Sequence, residues 1–169
     1  TLADDMVSVD RTLEVMALAQ EIGATNVFRV AQGNLAIRHA IRGEIELAGR
    51  YLADDLRWLR TAGAPPSWTG FQALVASSVF RSRGDLVRAA ELAGAIESLA
   101  PDRESLHYMW SNPERRLRDE NREALRAELG DEFERAFARG AVLTPEQTID
   151  LAAGRRSPGN APATEGLAR

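Results

Sequence analysis

The segment Arg42-Gly43-Glu44-Ile45 returns 41 residues later as Arg83-Gly84-Asp85-Leu86, and on the same shift Ala48 falls on Ala89. A period in the range of about 30 to 45 residues marks supersecondary units that cannot bury their apolar faces alone and must stack on their neighbours. Ala, Leu, Arg and Glu, all good helix formers, fill the stretches on either side of each glycine, and alternating β-branched runs are few. These features restrict the chain to an all-α fold of stacked antiparallel helical hairpins.

Glycine and proline set the expected boundaries. A first helix is expected from about Ser8 to Ile22, stopped by Gly23, with the residues before Ser8 as a frayed remnant. A second, Thr25 to Arg42, places Val27, Val30, Ala31, Leu35 and Ile41 on an apolar face, and a third, Glu44 to Ala62, buries Ile45, Ala48, Leu52, Leu56 and Leu59. After Gly63-Ala64-Pro65-Pro66, Trp68 to Arg83 and Leu86 to Leu99 form the next hairpin, closed by Pro101. A short helix is expected around Asp102 to Trp110. Asn112 can then cap, and Pro113 can open, a charged helix whose stripe Leu117, Leu125, Leu129, Phe133 and Phe137 runs to Gly140, with an interruption near Gly130-Asp131. Thr144-Pro145-Glu146-Gln147 has the form of a capping box for a last helix that ends at Gly154. Residues 1–153 are thus expected to form one helical repeat domain, and residues 154–169, rich in Gly, Pro, Ala and Ser, a disordered tail.

Composition excludes several functions. The 169 residues suit a single domain, and a formal charge of −4 argues against a general nucleic-acid surface. Without cysteine there is no disulfide, thiol nucleophile or thiolate metal site. All 21 basic residues are arginine, which reads as the codon bias of a GC-rich genome. The longest apolar stretch, Ala73 to Phe80, contains Ser77 and Ser78 and is far shorter than the ~20 residues of a membrane span. The start, Thr1, carries no secretion-signal pattern, so the chain reads as a fragment of a longer cytoplasmic protein.

With Phe80 late in its first helix, Gly84-Asp85 at the turn, Ala89 early in the second helix and Pro101 closing, the second hairpin resembles a tetratricopeptide repeat. The first hairpin is similar at Leu35, Ala36, Gly43 and Ala48 but has His39 and Arg60 where the pattern prefers tyrosine and proline. The stretch from Leu125 to Phe133, continuing through Phe137-Ala138-Arg139-Gly140 and Leu143 to Gln147, resembles the end of the repeat domain in large bacterial signalling ATPases, including LuxR-type regulators of the STAND class and cyclase-like relatives. That resemblance implies a tetratricopeptide-like α-solenoid with a right-handed superhelix, serving as the sensor or autoinhibitory part of a transcription regulator. Neither a GxxxxGK[ST] phosphate loop nor a recognisable helix-turn-helix is present, so ATP hydrolysis and DNA contact are not assigned to this segment.

The chemistry-bearing residues read as structural. His39 and His107 stand apart without carboxylates at metal-ligand spacing, and Ser77 and Ser78 lack nucleophile-elbow glycines and suit close helix approach. The acid pairs Asp4-Asp5 and Asp54-Asp55, and Glu120 near Glu123, have arginines within helical reach and read as surface ion pairs. The arginines of Pro113 to Arg118 are neutralised by neighbouring acids, and Trp58, Trp68 and Trp110 read as packing residues, with Trp68 the one placed for partial exposure.

No catalytic, cofactor or metal residue is therefore expected. In the tetratricopeptide family ligands lie along the groove lined by the first helix of each hairpin. On the repeat register Asn34 and Arg38, with Phe71, Ser78 and Arg81, point into it and suit an extended peptide. The expected partner is a protein or peptide, including other modules of a parent chain, with no direct nucleic acid and no membrane. Homodimerisation through the incomplete first hairpin is the alternative reading, and a helical enzyme the least favoured.

Overall fold

The computed structural model describes residues 2–63, 66–99 and 112–155. Among them are eight α-helices and no strand: α1 (Leu2–Glu21), α2 (Thr25–Ile41), α3 (Ile45–Ala62), α4 (Pro66–Ser82), α5 (Leu86–Leu99), α6 (Asn112–Leu129), α7 (Asp131–Gly140) and α8 (Pro145–Ala152). Two starts differ from expectation by two residues or more. α1 begins at Leu2, not Ser8, because no glycine or proline lies between them. α4 begins at Pro66, since proline fits the first helical position, where its missing N–H has no partner to lose. The helix expected around Asp102 to Trp110 lies outside the described residues, as does the tail expected over 154–169 apart from Gly154 and Arg155, whose N–H groups donate to Leu151 O and Asp150 O.

The repeated turns are superposable at the level of hydrogen bonds. Glu44 N–H donates to His39 O at 2.8 Å and Gly43 N–H to Ala40 O at 3.0 Å; Asp85 N–H donates to Phe80 O and Gly84 N–H to Arg81 O, both at 3.0 Å. This is the Schellman arrangement, which needs a residue at positive φ. Gly43 (φ 74°) and Gly84 (φ 79°) supply it without the steric penalty a Cβ would bring. At the far end, the Thr144 hydroxyl accepts from Gln147 N–H at 3.3 Å while Gln147 Oε1 accepts from Thr144 N–H at 2.9 Å, so the expected capping box opens α8.

Each of α1 to α5 packs on its sequence neighbour, and α2 also lies beside α4. Leu52, Leu56 and Leu59 of α3 meet Ile37 of α2, Leu74 and Val75 of α4, and Leu92 and Ile96 of α5 in the main core. A second cluster joins Leu125, Phe133 and Ala136 to the alanines Ala89, Ala90 and Ala93 of α5. α7 packs on α5, α6 touches α2, α4 and α5, and α8 returns to α3, α4 and α5, bringing Ile149, Leu151 and Ala152 into the main core.

The α5–α7 crossing is set by two glycines. A Cβ on Gly94 would lie 2.0 Å from Phe137 O, and one on Gly140 1.7 Å from Glu91 O, so the backbones are in contact there. The Arg139 guanidinium clamps the same crossing, 2.8 Å from Glu91 Oε1 and 3.3 Å from Glu132 Oε1. Asn121 of α6, 4% exposed, donates to Ser77 Oγ at 2.8 Å, and Ser77 in turn donates to Ala89 O at 2.7 Å, a buried polar chain linking α6, α4 and α5.

Candidate binding site on the face of α2 and α4

α2 and α4 lie side by side with α3 behind them, and all three contribute to one cavity. Asp55 shares the helical stripe of Leu52, Leu56 and Leu59, so it is turned inward and is 1% exposed. Gln72, 3% exposed, approaches it from α4. Room for both comes from α2: a Cβ on Gly33 would stand 3.0 Å from Gln72 Nε2 and 3.4 Å from Asp55 Oδ2. The absent side chain at Gly33 thus leaves two polar groups at the floor of the cavity.

The walls are mostly apolar. Val30 and Ile37 of α2 and Trp68 and Phe71 of α4 line a volume of about 60 Å³, with Arg29 and Asn34 completing it. Arg29 is held by Gln32, its Nη1 donating to Oε1 at 2.9 Å, and its guanidinium lies 5.9 Å from the Trp58 ring centroid. Trp58 and Trp68 meet with centroids 5.6 Å apart. Burial pushes the Asp55 carboxyl up to about 6, against the opposing pull of the Arg29 guanidinium.

No protein-family model, curated protein or solved structure matches this chain.

Of the five residues expected in the groove, the cavity brings together two, Asn34 and Phe71. Ser78 is 7% exposed and its hydroxyl donates back to Leu74 O at 3.1 Å. Arg81 pairs with Glu128 of α6, Nη2 to Oε1 at 2.8 Å. Arg38 is half-buried and outside the cavity lining. α6, which contacts both α2 and α4, takes up the end of the face where Arg81 stands.

Asp55, Gln72, Arg29 and Trp68 were not expected as site residues. The reading of Asp54-Asp55 as a surface pair fails at Asp55: Asp54 pairs with Arg57, whereas Asp55 is enclosed and its Oδ1 has no hydrogen-bond partner. One helical step of about 100° separates the two carboxylates, and the leucine spacing around Asp55 was the available signal. His39 is a packed helix residue as expected, its Nδ1–H donating to Glu44 Oε2 at 2.5 Å and its ring stacked on Tyr51 at 5.4 Å. That hydrogen bond, with Arg42 nearby, holds the Glu44 carboxyl below the usual range.

Among the described residues no three His, Asp or Glu side chains converge as metal ligands. No described helix is long and apolar enough to cross a membrane. Two arginines of α6 pair with acids on the same helix, Arg116 with Glu120 at 3.1 Å and Arg118 with Asp119 at 2.8 Å, and Arg122 and Arg126 pair with Glu97 and Glu134 of neighbouring helices.

Proposed function

We propose that this chain is a non-catalytic, tetratricopeptide-like interaction and sensor domain of a larger bacterial signalling ATPase or transcription regulator in the cytoplasm, recognising a protein or peptide through the face of α2 and α4. The observation that carries the reading is the cavity on that face, where exposed Asn34 and half-buried Phe71 stand with Arg29 and Trp68 over a polar floor. An aromatic wall, an amide and a guanidinium on a rigid helical scaffold suit an extended segment whose side chain enters the cavity. The repeated Gly43 and Gly84 turns support the tetratricopeptide-like, solenoidal reading of the hairpins.

A photo-crosslinking phenylalanine analogue in place of Asn34, in the full natural chain, tests this in context. The expected result is a crosslink to a segment of the parent chain or of a separate protein, with none from the same analogue at Val142, which is 79% exposed away from the cavity. Equal crosslinking from both positions would remove the proposed face.

A second reading has its own observation. Val15 and Leu18 of α1 and Ile22 just after it form an exposed stripe, at 46%, 56% and 67% exposure, with Val27 and Val30 of α2 also exposed. Such a patch suits self-association through the first hairpin. Sedimentation equilibrium decides it: a dimer converted to monomer by Ile22→Glu supports this reading, and a wild-type monomer removes it.

A further inference from the structure

Three residues lining the α2–α4 cavity each keep a buried polar atom without a hydrogen-bond partner: Asp55 Oδ1, Gln72 Oε1 and Arg29 Nε. Asp55 and Gln72 are 1% and 3% exposed, so bulk solvent does not serve them. Buried polar groups are almost always paired, because leaving one unpaired forfeits its hydration with nothing in return. Several around one cavity define what would complete it.

Two of the three atoms accept hydrogen bonds and one donates, so the complement is a group with two donors and one acceptor. Charge narrows the choice. The Asp55 carboxylate and the Arg29 guanidinium face the same space, so an ammonium group meets Arg29 unfavourably and a carboxylate meets Asp55 unfavourably. A neutral group avoids both. A primary carboxamide carries two N–H donors and one carbonyl acceptor in a single plane. The volume of about 60 Å³ fits a side-chain head group, and Val30, Ile37 and Phe71 offer apolar surface to the stem that bears it.

We propose that this cavity binds a primary carboxamide, presented by an asparagine or glutamine side chain of a peptide or by a small free amide. The amide N–H groups donate to Asp55 Oδ1 and Gln72 Oε1, and its carbonyl accepts from Arg29 Nε. Gly33 is a specificity residue here, because a side chain at that position fills the space beside Gln72 and Asp55. The assignment rests on the reading of the α2–α4 face as a recognition surface. Its test uses small probes, so it can fail while peptide recognition by the face still stands.

The test is a nuclear magnetic resonance titration of the isotope-labelled chain with propionamide, propionate and propylammonium, three ligands of similar size and different charge. Propionamide is expected to shift the Gly33 backbone and Gln72 side-chain amide signals with a dissociation constant on the order of 1–100 mM, as suits so few atoms. The two charged analogues are expected to bind at least about tenfold more weakly. Gln72→Met and the half-buried Arg29→Met should each weaken propionamide by a similar factor while keeping the wild-type helical circular dichroism; the second variant keeps the test valid if the first fails to fold. A glutamine-centred tripeptide with acetyl and N-methylamide caps separates the sources. Binding tighter than propionamide, and lost on changing its glutamine to glutamate, assigns the site to a peptide side chain; weaker binding assigns it to a free amide. Absence of shifts, equal shifts from all three probes, or unchanged affinity in both variants would overturn the proposal and leave the cavity to ordered water.

Discussion

Gly140 stands so close to Glu91 across the α5–α7 crossing that a Cβ on it would lie 1.7 Å from the Glu91 carbonyl oxygen. Backbone cannot yield there as a flexible side-chain tip can, so Gly140→Ala must move one helix off the other. Overpacking of this kind costs about 1–3 kcal/mol, and more where backbone is struck. Gly140→Ala and Gly94→Ala are each expected to lower urea-unfolding stability by at least about 2 kcal/mol, the upper part of that range. A loss under about 0.5 kcal/mol would place the crossing elsewhere.

What the sequence made legible was local. Gly43, Gly84, Pro113 and the Thr144 box act within a turn of themselves, and the helix ends fell close to where they indicated. Gly94 and Gly140 carry no such local mark, because their role depends on which helices cross, and neither does the return of α8 onto α3, α4 and α5. At the candidate site, Asn34 and Phe71 followed from the repeat register. Ser78 and Arg81 did not join them, because a hydroxyl can bond back within its helix and a guanidinium finds an acid on α6. Asp55 was hidden by its neighbour Asp54 and marked only by its place among Leu52, Leu56 and Leu59.

Asp55 should govern the acid branch of the stability curve. Its folded carboxyl is raised from 3.8 to about 6, so between those values the folded chain holds more proton than the unfolded chain. Stability from this group is therefore full below about 3.8 and is lost as pH rises through 6, by up to roughly 2–3 kcal/mol. Asp55→Asn is expected to flatten that fall and to raise stability at pH 7.5. An unchanged profile, followed by urea titration at a series of pH values, would contradict it.

The Asn121–Ser77 bond ties α6 to α4. Asn121→Ala is expected to cost about 1–2 kcal/mol, the range for a buried hydrogen bond and the space it leaves. Hydrogen exchange should quicken in α6 more than in α2 or α3. Uniform quickening would mean that the bond does not hold α6 in particular.

Loss of the box at α8 should act at a distance from the cavity. Thr144→Ala is expected to lower stability by about 1 kcal/mol through the lost N-cap. Exchange protection of Ile149 and Leu151, which α8 contributes to the main core, should fall with it. An effect below about 0.3 kcal/mol would show that α8 is held by packing alone.

Whether the α2–α4 face is a recognition surface is tested most directly by selecting a displayed peptide library on the isolated domain and measuring the enriched peptides against Phe71→Ala and Arg29→Ala. Enrichment of a shared motif, with binding weakened about tenfold or more in both variants and unchanged in Val142→Ala, is the expected result. Peptides that bind all three variants as tightly as the wild type would contradict recognition through this face.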